Sequence, residues 1–281
     1  MATFTNRATL TYRGGTTASN TVTGTLNQTL TLTKQALTDT YEGASRLVYV
    51  LALTNTGGAV SNLTLTDTLG GYEFEETTLY PLTLVEGSLL YYVNGVPTEA
   101  PTVTQGPPLS FSGISLPADS NALLIYEVEV NEFAPITEGS TVVNTATLTG
   151  PVSDSVTASE TVMASASPNL TITKSLTPQS VGSDGALTYT FVIENSGTTE
   201  AVATDDIVVR DLFDPILTIT EVTLDGVALT EGEGYTYDEA SGEFLTVPST
   251  ITVPAATVER NPDGSYTVIP GRTVLTVSGR I

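Results

Sequence analysis

Along almost the whole chain an apolar residue alternates with Thr, Ser or a charged residue. In the run NQTLTLTKQALT, Leu30 and Leu32 fall on one side of an extended backbone and Thr31 and Thr33 on the other. The same period of two continues through RLVYVLALTNTGG, NLTLTDTLG, SNALLIYEVEV and STVVNTATLTG. No long apolar stripe of helical period interrupts it, so strands are predicted throughout. Asn94-Gly95, Asp225-Gly226 and Asp263-Gly264 each separate two alternating runs, which marks tight hairpin turns. The prevalence of Thr and Val suits a pleated, half-buried surface.

The strands recur as a set. NQTLTLTKQALT, RLVYVLALTNTGG and NLTLTDTLG are echoed by SPNLTITKSLTP, GALTYTFVIENSGT and DIVVRDLFD. Lys34 thereby matches Lys174, Tyr49 matches Tyr189, Asn55 matches Asn195 and Asp67 matches Asp211. GISLPADSNALLIYEVEV matches the last part of the chain, where a longer hairpin is inserted. Short strands with such turns, in two copies, predict an all-β chain of two immunoglobulin-like β-sandwich domains in tandem. Their expected spans are 27–162 and 163–281, preceded by an N-terminal hairpin at 1–26. Small polar residues at Ala164–Pro168 read as the linker.

One piece is out of place. The first repeat continues through STVVNTATLTGPVSDSVTASETV, and the second has no counterpart before Ile281. A matching segment stands at the start of the chain. Asn6, Ala8 and Leu10 match Asn144, Ala146 and Leu148, and Ser19–Thr23 resembles Ser153–Thr157. A sandwich short of a strand exposes backbone groups and an apolar groove, while a lone hairpin buries too little to be stable. Exchange between copies is expected to satisfy both, the hairpin of one chain completing the second repeat of the next. Phe4, Asn6, Ala8, Leu10 and Tyr12, on one face of the first strand, are the expected polymerisation interface. A hairpin folded back on its own chain is the bland alternative.

The same alternation turns polar groups inward. Lys34 continues the row of Leu30 and Leu32, and Lys174 that of Leu170 and Ile172; these are the only lysines. Asn144 lies in the row of Val142, Ala146 and Leu148, and Asn6 in that of Phe4, Ala8, Leu10 and Tyr12. Asp67 lies with Leu63, Leu65 and Leu69, and Asp211 with Ile207, Val209 and Phe213. Inward Lys, Asn and Asp are costly unless they meet. Meeting, they suit a Lys–Asn isopeptide bond, in which burial frees the amine, and a buried carboxyl kept protonated by the same setting polarises the Asn carbonyl and assists loss of ammonia. The expected sets are Lys34, Asn144 and Asp67 within a subunit, and Lys174 and Asp211 with Asn6 of a neighbour. Glu127 and Glu129 are rival acids in the first repeat. The bland alternative is a hydrogen-bonded polar cluster.

Charge narrows the partners. A net charge of −22, from 31 acidic and 9 basic residues, argues against nucleic acid and anionic membranes. Without Cys or His, disulfides, thiol catalysis and imidazole acid–base chemistry are excluded. No cofactor is called for, and the acidic stretches at Asp205-Asp206 and Asp238–Glu243 lack calcium-loop spacing. The start MATFTNRATL lacks a basic segment followed by an apolar run, and the expectation is that a signal has been removed or that the protein reaches the outside without one.

The runs LTITK, YTFVIENSG and VNTATLTG resemble the domain-of-unknown-function-11 repeats of bacterial surface proteins, over nearly the whole chain in permuted copies. That resemblance implies immunoglobulin-like surface repeats, isopeptide bonds among similar pilin domains, and a likeness to the appendage fibres of clostridial spores. The expectation is therefore a non-enzymatic fibre subunit at an extracellular or spore surface, polymerising with copies of itself, with no anchor protein identifiable. The alternative is a cell-surface adhesin or glycan-binding stalk fragment.

Overall fold

Alternation without helical signals folds here into antiparallel strands almost throughout. The computed structural model of the protein describes residues 2–26, 30–151, 155–182 and 184–281. Ser153 and Asp154 of the return-strand echo, and the start of the first repeat at Asn27, lie outside the described residues. Two compact units emerge, Met1–Pro135 with Ser140–Met163, and Ile136–Gly139 with Ala164–Ile281. Each contains an immunoglobulin-like sandwich.

The first unit opens with a hairpin of strands β1 (Ala2–Asn6), β2 (Thr9–Tyr12), β3 (Gly15–Ala18) and β4 (Val22–Leu26). β1 pairs with β4 and β2 with β3, and neither pair joins another described strand. Between Asn6↔Val22 and Thr9↔Ala18, two residues on one side face three on the other, which makes a bulge. There the Ala8 N–H donates to Ser19 Oγ at 3.0 Å. Phe4 pairs with Gly24 and Tyr12 with Gly15, so each ring lies over a glycine. Even so, Phe4, Leu10, Tyr12 and Val22 are exposed.

The first sandwich has two six-stranded sheets. One is built on β7 (Arg46–Asn55), flanked by β5 (Leu30–Ala36) and β16 (Ser120–Val130). β16 also pairs with β11 (Leu82–Leu84) and with β12 (Leu90–Val93), which turns into β13 (Val96–Pro97). Asn94 and Gly95 supply that turn with φ of 52° and 77°, the left-handed pair a two-residue hairpin needs. The other sheet runs β14 (Thr102–Thr104), β15 (Leu109–Leu116), β8 (Val60–Asp67), β17 (Thr141–Thr149), β18 (Val156–Ala164) and β6 (Thr40–Tyr41). A small separate pair joins β9 (Tyr72–Phe74) to β10 (Thr77–Leu79).

Between the sheets every second residue is buried, among them Leu51 and Leu53 on β7, Leu63 and Leu65 on β8, and Phe111 on β15. Each such side chain removed from water contributes roughly 1.5–3 kcal/mol. Asn55 and its counterpart Asn195 are corner staples. Asn55 Nδ2 donates to the Gly58 and Pro117 carbonyls, and Asn195 Nδ2 to the Thr199 carbonyl at 2.8 Å.

The second sandwich repeats five of the six strands of one sheet: β19 (Leu170–Thr177), β20 (Ala186–Asn195), β28 (Gly271–Arg280), β22 (Thr218–Leu224) and β23 (Val227–Ala228). Its other sheet has three described strands, β21 (Arg210–Leu212), β25 (Glu243–Thr246) and β24 (Tyr235–Asp238). The inserted hairpin is β26 (Thr257–Arg260) with β27 (Tyr266–Ile269). Phe191, Phe213, Phe244, Leu275 and Val277 form its core. A further difference from the first sandwich lies at one edge. β8 has β15 on one side and β17 on the other, whereas β21 has β25 on one side and no described strand on the other.

Candidate crosslinking site and open sheet edge

Lys34 leaves β5 toward the interior because it shares a face with Leu30 and Leu32. Asp67 ends β8 and Asn144 lies on its neighbour β17, where Ala146 pairs directly with Asp67. All three residues are buried, and the Lys34 and Asp67 side chains are wholly shielded from solvent. Strands β5 and β17 touch across the sandwich, which brings the sheets together at this level.

Lys34 Nζ donates to Asp67 Oδ2 and, at 3.2 Å, to the Tyr126 hydroxyl. That hydroxyl donates to the same Asp67 oxygen, while Asp67 Oδ1 accepts the Leu69 N–H at 2.9 Å. Above the amine lies the Tyr49 ring, its centroid 4.6 Å from Nζ. Burial lowers the Lys34 ammonium below its ordinary range, against the opposing charge and hydrogen bond of Asp67. Burial, reinforced by the Asp67 charge, pushes the Tyr126 and Tyr49 hydroxyls well above theirs. Burial thus favours the neutral amine of Lys34, the form in which a lysine is a nucleophile.

Asn144 is held by its oxygen. Oδ1 accepts the Gly70 N–H at 3.2 Å and the Thr68 hydroxyl at 3.3 Å. A backbone N–H can only donate, so the opposite amide orientation would set donor against donor. The consequence is that Asn144 Nδ2, fully buried, has only the Tyr49 hydroxyl beside it, and neither group makes a hydrogen bond of good geometry. A buried, unsatisfied polar group costs about 1–3 kcal/mol. Glu127 and Glu129 lie on the opposite face of β16, Glu127 beside Arg46 at 3.4 Å, so neither reaches this cluster. Tyr126, Thr68 and Gly70 were not among the expected site residues. Tyr126 had a legible signal, since a phenol in a core-facing row requires a partner.

In the second sandwich Lys174 and Asp211 also meet, Nζ donating to Oδ2 over the rings of Tyr189, Phe191 and Phe213. Their surroundings differ from those of Lys34 and Asp67. The Lys174 side chain is 40% exposed. Leu170 and Ile172 are 38% and 53% exposed, against 8% and 7% for Leu30 and Leu32. Alternation points the row to the inner side of β19, but no described strand stands opposite to cover it. Leu212 on the neighbouring edge strand is exposed as well. Val277 occupies the place of Tyr126, because it pairs with Tyr189 as Tyr126 pairs with Tyr49. Asn6 lies on the hairpin, exposed along with Phe4, Ala8, Leu10 and Tyr12.

Among the described residues no helix is long and apolar enough to cross a membrane. No family model matches the chain, and neither does any curated protein. Among solved structures it is similar to BcpA, the major pilin subunit of Bacillus cereus, with 12% identity over 98% of this chain and 74% of that one, at a TM-score of 0.36. It is also similar to the major pilin SpaA of Corynebacterium diphtheriae, with 12% identity over 93% and 73% and a TM-score of 0.32. The collagen adhesin of S. aureus matches with 14% identity over 88% and 80%, at 0.27.

Proposed function

We propose that the chain is the structural subunit of a homopolymeric fibre on a cell or spore surface. Subunits join when the β1–β4 hairpin of one copy completes the second sandwich of the next. The observation that carries this reading is a complementarity within one sequence. Among the described residues β21 has a free edge beside the exposed Leu170 and Ile172, and the hairpin repeats the side-chain pattern of β17, the strand that fills that place in the first sandwich. By the register of β17 on β8, Ala8 pairs with Asp211 and Leu10 with Val209. A free sheet edge and an exposed apolar hairpin each favour pairing, and joining unlike surfaces of successive copies produces an open filament.

Covalent bonds reinforce the fibre. Lys34 attacks Asn144 within each subunit, and Lys174 attacks Asn6 of the donated hairpin. The Asn144 Nδ2 group, which makes no hydrogen bond of good geometry, supports the first bond, because it is the group that departs as ammonia.

Boiled denaturing gels of the intact chain, of a chain lacking residues 1–26 and of Lys174→Ala test both steps. A multimer ladder abolished by either change is expected. Filaments that boil down to monomers would retain the exchange and remove the intersubunit bond. A folded monomer of the intact chain at high concentration would overturn the fibre, leaving an adhesin or stalk module.

A further inference from the structure

Asn144 Oδ1 stands between two donors that the second sandwich lacks. The turn after β8 places Leu69 and Gly70 in the left-handed region, with φ of 52° and 70°, and this aims the Gly70 N–H at Asn144. A Cβ at Gly70 would come within 2.5 Å of Val142 Cγ1 and 2.9 Å of Pro81 Cγ, so no other residue fits there undisturbed. The Thr68 hydroxyl is oriented from behind. It accepts the Thr145 N–H at 3.0 Å, leaving its own hydrogen for Asn144. At the matching positions after Asp211 stand Leu212 and Asp214, and neither Phe213 nor Asp214 adopts the left-handed conformation.

We propose that Thr68 Oγ and the Gly70 N–H are catalytic, forming a polarising pocket for the Asn144 carbonyl, and that its loss in the second sandwich makes the intersubunit bond the slower of the two. This rests on the crosslink reading above. The Lys34 amine forms a bond to Asn144 Cγ, and the carbonyl electron pair moves onto Oδ1, where the two donors hold it. Collapse restores the carbonyl and breaks the Cγ–Nδ2 bond. One amine hydrogen stays on the new amide; the other passes through Asp67 to Nδ2, which leaves as ammonia. Lysine amine and asparagine amide become one secondary amide and one ammonia. Because the donors stand in place before charge develops, the protein need not rearrange to stabilise it. Around Lys174, Leu212 supplies no hydroxyl. Each kind of bond thus acquires its own timing, the first sandwich closing early and the junction sealing after the hairpin has seated.

The test follows freshly synthesised full-length chain by mass spectrometry, scoring the Lys34–Asn144 peptide over time. Thr68→Val is expected to slow its appearance about a hundredfold, and Thr68→Ser to restore most of the rate. Equal rates for parent and Thr68→Val would overturn the pocket while leaving the crosslink intact. A parent with no crosslinked peptide would overturn the crosslink reading itself. Slow reaction in both Val and Ser variants would assign Thr68 a packing role and also overturn the proposal. Leu212→Thr supplies the converse measurement, because a gain cannot come from misfolding. The boiled ladder is expected to form faster than in the parent, and an unchanged ladder would overturn the proposed cause of slow junction sealing.

Discussion

The Tyr126 hydroxyl stands between Lys34 and Asp67, accepting from the amine at 3.2 Å and donating to the carboxyl oxygen that the amine also touches. Three polar groups thus satisfy one another where no water reaches. Val277 takes the place of Tyr126 in the second sandwich, so Lys174 and Asp211 meet without such a bridge.

Tyr126→Phe should therefore destabilise the first sandwich by about 1–3 kcal/mol, the cost of leaving buried partners short of a hydrogen bond. Urea denaturation of that sandwich, compared with the parent, measures it. A change below the scatter of the measurement would mean that the bridge contributes nothing to stability.

The two lysines should differ sharply on truncation. In chains whose bonds are blocked by Asn144→Ala and Asn6→Ala, adding Lys34→Ala leaves Asp67 buried and unpaired and should cost about 3–5 kcal/mol. Lys174→Ala in the same background removes a part-exposed pair and should cost less than about 1 kcal/mol. Pairing Lys34→Met with Asp67→Leu should recover much of the loss, since apolar replacements of a buried pair are often neutral. Equal costs at both lysines would contradict the burial difference.

Stability should depend on pH through Lys34. Its folded value lies below the ordinary 10.5 because burial penalises the charged form. Between the two values the unfolded chain holds a proton that the folded chain has released, so stability rises with pH across that window. Below the folded value both states are protonated, and this dependence vanishes. In the bond-blocked Asn144→Ala chain the rise should appear as pH approaches the lysine range, and Lys34→Met should flatten it. Denaturation midpoints collected at several pH values would decide.

Deleting residues 1–26 should leave the melting of both sandwiches in the monomer nearly unchanged. Among the described residues the hairpin strands pair only with one another, and Phe4, Leu10 and Tyr12 are exposed. Calorimetry on the shortened chain checks this; a large drop in either transition would show that the hairpin supports its own chain.

What the sequence alone determined is the facing of each side chain. A period of two leaves no freedom once a segment is extended, so Leu30, Leu32 and Lys34 had to share a face, as did Leu63, Leu65 and Asp67. The repeats were legible for the same reason, and so was the Asn94-Gly95 turn, whose φ values few other dipeptides tolerate.

Tertiary structure decided what each face meets. Leu32 and Ile172 hold equivalent places in equivalent patterns, yet one is buried and the other open, because burial depends on the sheet packed opposite and not on the strand itself. Tyr126 reaches Lys34 from another strand of the same sheet, and Gly70 reaches Asn144 from a turn 74 positions away in the chain. Such contacts are products of how strands are ordered and how sheets face each other. Local alternation is set by the backbone of a single strand and contains neither.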